Sequence, residues 1–414
     1  MTATPTTWDP ALKQLYRDSN VYKSVFKDRP MLGLLQKFEG FTGRNMPMVA
    51  VYGNPQGRSA SFSEAQGNST STKLEDFLLD IVSDYSVAQM TGEVVDRTES
   101  DKGAFLKALK STIDFAMDSL ADAIETFLPR SGTGTIGQVS SGSTVSAQTI
   151  TLESIDDVAN FEVGMTLRGT STDGGAYDTG EEVLAGVNRS TGVLTATSAA
   201  WNTVMTALAA SDFLVVSGDA ANAGANVKIS GFQAWLPSTA PTSGDSFFGV
   251  DRSADSRLYG IYHDGSAQTM EDALIDGQSK SAQQGGSPDL GFVNHVKMRR
   301  LIKELGANKE FTSVNATGPK GLVAEVGYRS VYIQGDKTAI RMVAANKCPS
   351  NDAFLLEQKN ATLFSIGRHI RLDDRDGNRI LRQASSDGYE VRIKFRGNFC
   401  LKNPIGSVRV NLPS

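Results

Sequence analysis

Gly132, Gly134 and Gly137, within GTGTIG, stand in the spacing G-x-G-x-x-G, which elsewhere lets a backbone approach a dinucleotide pyrophosphate. That chemistry needs a strand before the glycines and a helix after them. Here a run with helical periodicity precedes them and a Gly/Ser/Thr stretch follows, so they read as a flexible linker. DDRDGN, residues 373–378, resembles a calcium loop. With Gly377 sixth, however, Leu372 stands first and Gln383 twelfth, so two essential ligands are missing. A hairpin turning at Asp376-Gly377 is the better reading. His263, His295 and His369 are far apart and in no H-E-x-x-H spacing, and each reads as a surface or core histidine. Neither a G-x-S-x-G elbow nor a G-x-x-x-x-G-K-[ST] loop occurs. No catalytic, cofactor-binding or metal-ligating set emerges, and neither an enzyme nor a cofactor is expected.

Bulk properties narrow the choice further. The chain has 414 residues, 40% hydrophobic and 21% charged, which suits ordered cores. Its formal net charge is −5, and no basic patch of the kind that grips phosphate stands out. KMRRLIK, residues 297–303, places Lys297, Arg300 and Lys303 on one helix side, read as a solvated face or, second, as a site of charge pairing between subunits. Arg368, Arg371, Arg375, Arg379 and Arg382 alternate with acids that partly neutralise them. Cys348 and Cys400 have no paired spacing and read as two buried free thiols. Residues 1–8 lack the pattern of a signal peptide, and no apolar run is long enough to span a membrane.

The elements that would carry function are clearer than any motif. Residues 51–73, VYGNPQGRSASFSEAQGNSTSTK, are a polar run between Met46–Val51 and LEDFLLDIV. A loop of this length without structure of its own is uncommon and points to function or disorder. Residues 45–52 and 74–95 suit strands, which makes the run the tip of a long hairpin. Phe105, Leu109, Ile113, Ala116, Leu120, Ile124 and Phe127 form one apolar helical face over 101–128. Such a helix would be about 40 Å long, closed by Pro129 and Gly132. Composition then changes: residues 130–148 read as linker, followed by short strands at 149–152, 165–168, 182–187, 193–197 and 213–216. These predict an inserted small β-barrel or sandwich over 131–228. Beyond it, 268–284 and 289–305 read as helices, and 388–402 as a long strand.

The order of these parts resembles the major capsid proteins of tailed bacteriophages, the Hong Kong 97-type fold. GNPQGRSASFSEAQGNSTSTK is similar to the family's extended loop, and ESDKGAFLKALKSTIDFAMDSLADAIETFL to its spine helix. GGSPDLGFVNHVKMRRLIKELG resembles the helix of the axial domain, and VAANKCPSNDAFLLEQKNATL the strand and turn leaving it. DGYEVRIKFRGNFCLKNPIGSVRVNL resembles the closing strand. The likeness covers nearly the whole chain except 131–228. It implies an α+β fold divided into an N-terminal arm (1–44), an extended-loop hairpin (45–95), a peripheral domain with the spine helix (96–130), the inserted β domain (131–228), an axial domain (229–355) and a C-terminal return (356–414).

The resemblance implies a non-enzymatic protein, made in the host bacterial cytoplasm, that self-assembles as hexamers and pentamers into the icosahedral virion head around double-stranded DNA. Expected partners are further copies, a portal, a separate scaffolding protein and decoration proteins, without a membrane. In the family the extended loop lies across a neighbouring subunit, which would give its backbone partners there. The residues expected to serve that loop are Gly53, Gly57, Arg58, Phe62, Gly67 and Lys73. Some members cross-link through a lysine in the loop. Here Lys73 stands at its base, and cross-linking is not expected. The acidic balance suggests a wall that confines DNA without gripping it. The alternatives are an encapsulin-like compartment of the same fold and, from another class, a hydrolase with an accessory β domain.

Overall fold

The computed structural model describes residues 29–93, 102–219, 227–305, 311–314, 328–373, 380–383 and 387–413. The expected helices of the N-terminal arm, up to residue 28, and the Asp376-Gly377 turn with Arg375 and Arg379 lie outside the described residues.

The first sheet is ordered on the closing strand, Gly388–Leu401. Val82–Thr91 pairs antiparallel with it over ten residues, from Val82↔Gly397 to Thr91↔Gly388. Ala361–Ser365 takes its C-terminal end, and Gln36–Phe38 adds parallel to that strand. One face of the sheet is covered by the long helix, Lys102–Phe127. Ile113, Leu120, Ile124 and Phe127 of the stripe that the sequence spacing predicts are buried, with Met117 and Ala121 beside them. Val391, Ile393 and Phe395 meet it from the sheet, while Arg392 between them faces out, as strand alternation requires. The helix stops where Pro129 cannot continue it. There the chain passes close to Gly231, where any Cβ would lie 2.0 Å from the Leu128 carbonyl oxygen.

Arg371–Leu372 and Leu381–Arg382 run in the same direction along the closing strand, paired at Arg371↔Lys394 and Leu381↔Glu390. Among the described residues these two short strands pair with the closing strand and not with each other. A 14-residue ladder offers main-chain partners to both flanks, which a two-strand turn would not.

The second sheet has seven strands, in the order Ile261–Asp264, Val408–Asn411, Asp352–Leu356, Leu290–Val293, Ala339–Ala344, Tyr328–Gln334, Phe311–Val314. Helices Met270–Gln283 and His295–Glu304 flank it. Here the expected helix over 289–305 is corrected. Leu290–Val293 is a central strand, buried at all four residues, parallel to Ala339–Ala344 and antiparallel to Asp352–Leu356. A short apolar run buried on both faces carries no alternation to distinguish it from helix. The helix begins only after Asn294, whose side chain accepts the Val296 N–H. Lys297 does not lie on a solvated face. It is 8% exposed, and its ammonium donates to the Pro413 carbonyl.

Between the long helix and Lys228 the chain builds a six-stranded sheet, in the order Thr135–Gln138, Phe213–Val216, Thr166–Thr170, Glu182–Asn188, Val193–Ala196, Thr149–Thr151. The first and last strands also meet, through a Val139↔Leu152 bridge with Ser140 N–H donating to Thr151 and Glu153 N–H to Gln138. The sheet is therefore a closed small barrel, filled by Ile136, Phe161, Leu184, Trp201 and Leu214. Residues 130–148 are accordingly not a linker, since Thr135–Gln138 is a wall strand. Gly132 and Gly134 take left-handed turns, and Gly137 lets the Phe161 ring close in, where a Cβ would sit 2.9 Å from it. The barrel is docked on the rest of the chain by Arg130–Asp157, by Lys347 donating to Ala159 O and pairing with Asp122, and by Ser154 against Ser350.

Candidate assembly surface

Asn45–Gly53 pairs antiparallel with Lys73–Asp80, from Asn45↔Asp80 to Val51↔Leu74; Tyr52 is then bulged and Gly53 stands opposite Lys73. Alternation sends Met46, Met48, Ala50, Phe77 and Leu79 toward the chain's own core. It sends Val49, Val51, Leu74 and Leu78 outward, where they are 61%, 56%, 52% and 43% exposed. Two strands alone are marginally stable in water, so the ribbon needs support from elsewhere. The Phe77 ring lies 5.3 Å from Trp235. Leu78 N–H donates to the Phe248 carbonyl at 2.9 Å, and the Arg257 guanidinium donates to the Tyr52 carbonyl at 2.7 Å.

The tip is not structureless. Phe62–Gly67 forms a short helix, and Gln56 and Thr70 close the loop, with each main-chain N–H donating to the other residue's oxygen. Of the six residues expected to serve the loop, Gly53 and Lys73 close the end of the ribbon, and a Cβ at 53 would lie 2.9 Å from the Lys73 Cβ. Gly57 packs under the tip helix, 3.2 Å from the Ala65 carbonyl oxygen by its Cβ position. Arg58 and Gly67 are exposed. Phe62, at the start of the tip helix, is 84% exposed. Thus the structure gathers all six on one projecting element.

At the other end of the long helix, Pro30–Leu34 lies across its C-terminal half. The buried Glu125 carboxylate accepts the Met31 and Leu32 N–H groups at 3.0 and 2.7 Å, and Arg29 reaches Asp118 and Asp122. Burial raises the Glu125 carboxyl to about 7, against the pull of those two N–H donors. On the open face of the first sheet, Tyr85 and Val87 are about half exposed, 54% and 47%, beside Arg392 and Arg396. Arg396 donates to the Tyr85 hydroxyl at 2.7 Å and holds its phenol below the usual range.

Charge is unevenly divided. Residues 131–228 carry 10 Asp and Glu against 3 Lys and Arg, leaving 36 against 38 for the rest. The acidity therefore belongs to the barrel, and the remainder is close to neutral. Among the described residues no group of three or more His, Cys, Asp or Glu side chains could hold a metal, and no helix is long and apolar enough to cross a membrane.

The outward row Val49, Val51, Leu74, Leu78 and the supports Phe248 and Arg257 were missed from the sequence. A signal for the row was present. MPMVAVY is apolar on both parities, and a two-stranded ribbon can bury only one face on its own chain. The supports have no local signature.

No protein-family model matches the sequence, and no curated protein is similar to it. Among solved structures, a chain of the cyanophage A-1(L) capsid asymmetric unit matches with a TM-score of 0.50 and 11% identity, over 93% of this chain and 93% of that one. An encapsulin complex from Synechococcus elongatus PCC 7942 gives 0.45 and 8% over 99% and 96%. A Mycobacterium phage Adephagia chain gives 0.42 and 11% over 100% and 99%. The fold is the Hong Kong 97-type α+β fold that the order of segments predicts.

Proposed function

We propose that copies of this chain assemble into a closed icosahedral shell, the extended hairpin of each lying on its neighbour. The observation that carries this reading is the outward apolar row on a thin ribbon, Val49, Val51, Leu74 and Leu78, with Phe62 beyond it on the tip. The described residues of the chain do not cover it, and contiguous exposed apolar surface marks an interaction site. A fold shared with a phage capsid chain supports the same reading. Repeated symmetric contacts let a modest patch suffice, because every copy both gives and receives one.

More specifically, we read the chain as the major capsid protein of a tailed phage head that encloses double-stranded DNA, a structural protein without catalysis. The inserted barrel favours this over a protein-filled compartment. It is a closed module, entered and left at adjoining points where Lys228 N–H meets the Gly132 carbonyl. It adds surface outside the shell-forming elements, as a platform for decoration proteins would. A near-neutral remainder suits a wall that neither grips nor repels phosphate.

The test is negative-stain electron microscopy with sedimentation on the chain expressed alone, intact and with residues 54–72 deleted. Closed shells or capsomer rings that vanish on deletion are expected. Monomers at every concentration, with and without scaffold, would overturn the reading, and particles that consistently retain one protein cargo would favour the compartment.

A further inference from the structure

We infer that the segment 246–258 is a two-point clamp that sets the inclination of the extended hairpin, with Phe248 and Arg257 as its positioning residues. The inference rests on the hairpin being the assembly element, and it concerns what aims that element.

Ser246–Phe247 and Val250–Asp251 form a minute antiparallel hairpin, paired at Ser246↔Asp251 and Phe247↔Val250. Its two turn residues both have positive φ, Phe248 at 50° and Gly249 at 86°. Such a turn favours Asn or Gly at its first position, and a bulky side chain there is a conformational outlier. The strain persists because the surroundings fix the turn. The Phe248 ring lies 4.5 Å from Phe247 and 5.8 Å from Trp235, and Val250 is buried. The Arg252 guanidinium sits 4.1 Å over the Phe247 ring and donates to the Ala234 carbonyl.

What the strained turn presents is the Phe248 carbonyl, which accepts the Leu78 N–H. Leu78 stands opposite Pro47 in the ribbon, and its N–H finds its acceptor off the ribbon, at the Phe248 carbonyl. The second point is Arg257, whose guanidinium holds the Tyr52 carbonyl at the bulge in the other strand. Pro47 and Tyr52 are five residues apart, or roughly 17 Å along the ribbon. Phe77 and Leu79, buried against the core, anchor the base of the ribbon, and the two hydrogen bonds on different strands define its direction. A small error at the clamp grows toward the tip, which lies beyond it.

The experiment places spin labels on Ser63→Cys in the tip helix and Ser119→Cys on the long helix of the full chain, whose two native thiols are buried. Pulsed dipolar spectroscopy on the unassembled protein then compares the parent with Arg257→Ala, with Phe248→Pro, whose ring forbids the positive φ that aims the carbonyl, and with the double variant. Arg257 is exposed, so its variant folds as the parent does, and the unfolding midpoint of each variant checks that the chain remains folded. We expect a narrow distance distribution in the parent, at least a twofold broadening in the double variant, and shells of mixed diameter from it. An unchanged width in a folded double variant overturns the clamp. Failure of the parent to form any shell overturns the proposed function, while the distances still decide the clamp.

Discussion

Replacing Val49 and Val51 together by threonine probes the outward row with little disturbance to the monomer. Both side chains point away from the core, and threonine keeps a β-branched shape that suits a strand. Their exposures of 61% and 56% amount to a little more than one whole valine, and swapping a methyl for a hydroxyl on each removes most of what burial against a neighbour would gain. At 1.5–3 kcal/mol for a fully buried side chain, the loss is about 2 kcal/mol per hairpin. That corresponds to roughly a thirtyfold weaker contact. In a shell every copy makes the contact, so the effect appears as a rise in the concentration at which shells form. Light scattering against concentration, with sedimentation to separate shells from subunits, reads this directly. Thermal unfolding of the unassembled variant should match the parent, since exposed substitutions alter stability by about 0.5 kcal/mol or less. An unchanged assembly threshold in a folded variant would refute the interface. A large fall in the unfolding midpoint would refute it differently, by showing that the row is packed on its own chain.

Two further outcomes follow from buried groups. The Glu125 carboxyl stands near 7 in the folded chain and near 4.5 when unfolded, so the native state holds its proton over that interval. Its stabilising contribution is therefore complete below about 4.5 and is lost as pH rises through 7, by about 3 kcal/mol. Denaturant titrations of the parent between these pH values should show that loss, and Glu125→Gln should not. Burial pushes the Cys400 thiol up to about 12 and raises Cys348 well above its ordinary value. Neither should react with iodoacetamide at pH 7.5 in the native chain, and both should be alkylated at once in denaturant, as intact mass will show.

Local chemistry made much of the fold legible. The stripe from Ile113 to Phe127 could only be a helix with one buried face, because its spacing fits no other element. The strands Glu182–Asn188 and Val193–Ala196 were legible, near 182–187 and 193–197, as short strand-like runs in the sequence. The misreadings share one cause. Leu290–Val293 and Thr135–Gln138 are short segments whose state is set by neighbours distant in sequence, Ala339–Ala344 and Asp352–Leu356 for the first and Phe213–Val216 for the second. Lys297 likewise looked solvated until Pro413 was placed over its ammonium.

By itself, then, the sequence determined the long helix and a hairpin with a polar tip containing Gly57 and Phe62, and the order of its segments carried the resemblance that implied the α+β class. The helix and the hairpin depend on periodicity and turn chemistry within a few residues. Tertiary structure decided the rest: that the inserted sheet closes through Val139 and Leu152, that Val49 and Val51 face outward, and that Phe248 and Arg257 hold the ribbon at Leu78 and Tyr52. Those features join residues up to 205 positions apart, and no local pattern encodes which distant backbone group will satisfy a given N–H or carbonyl.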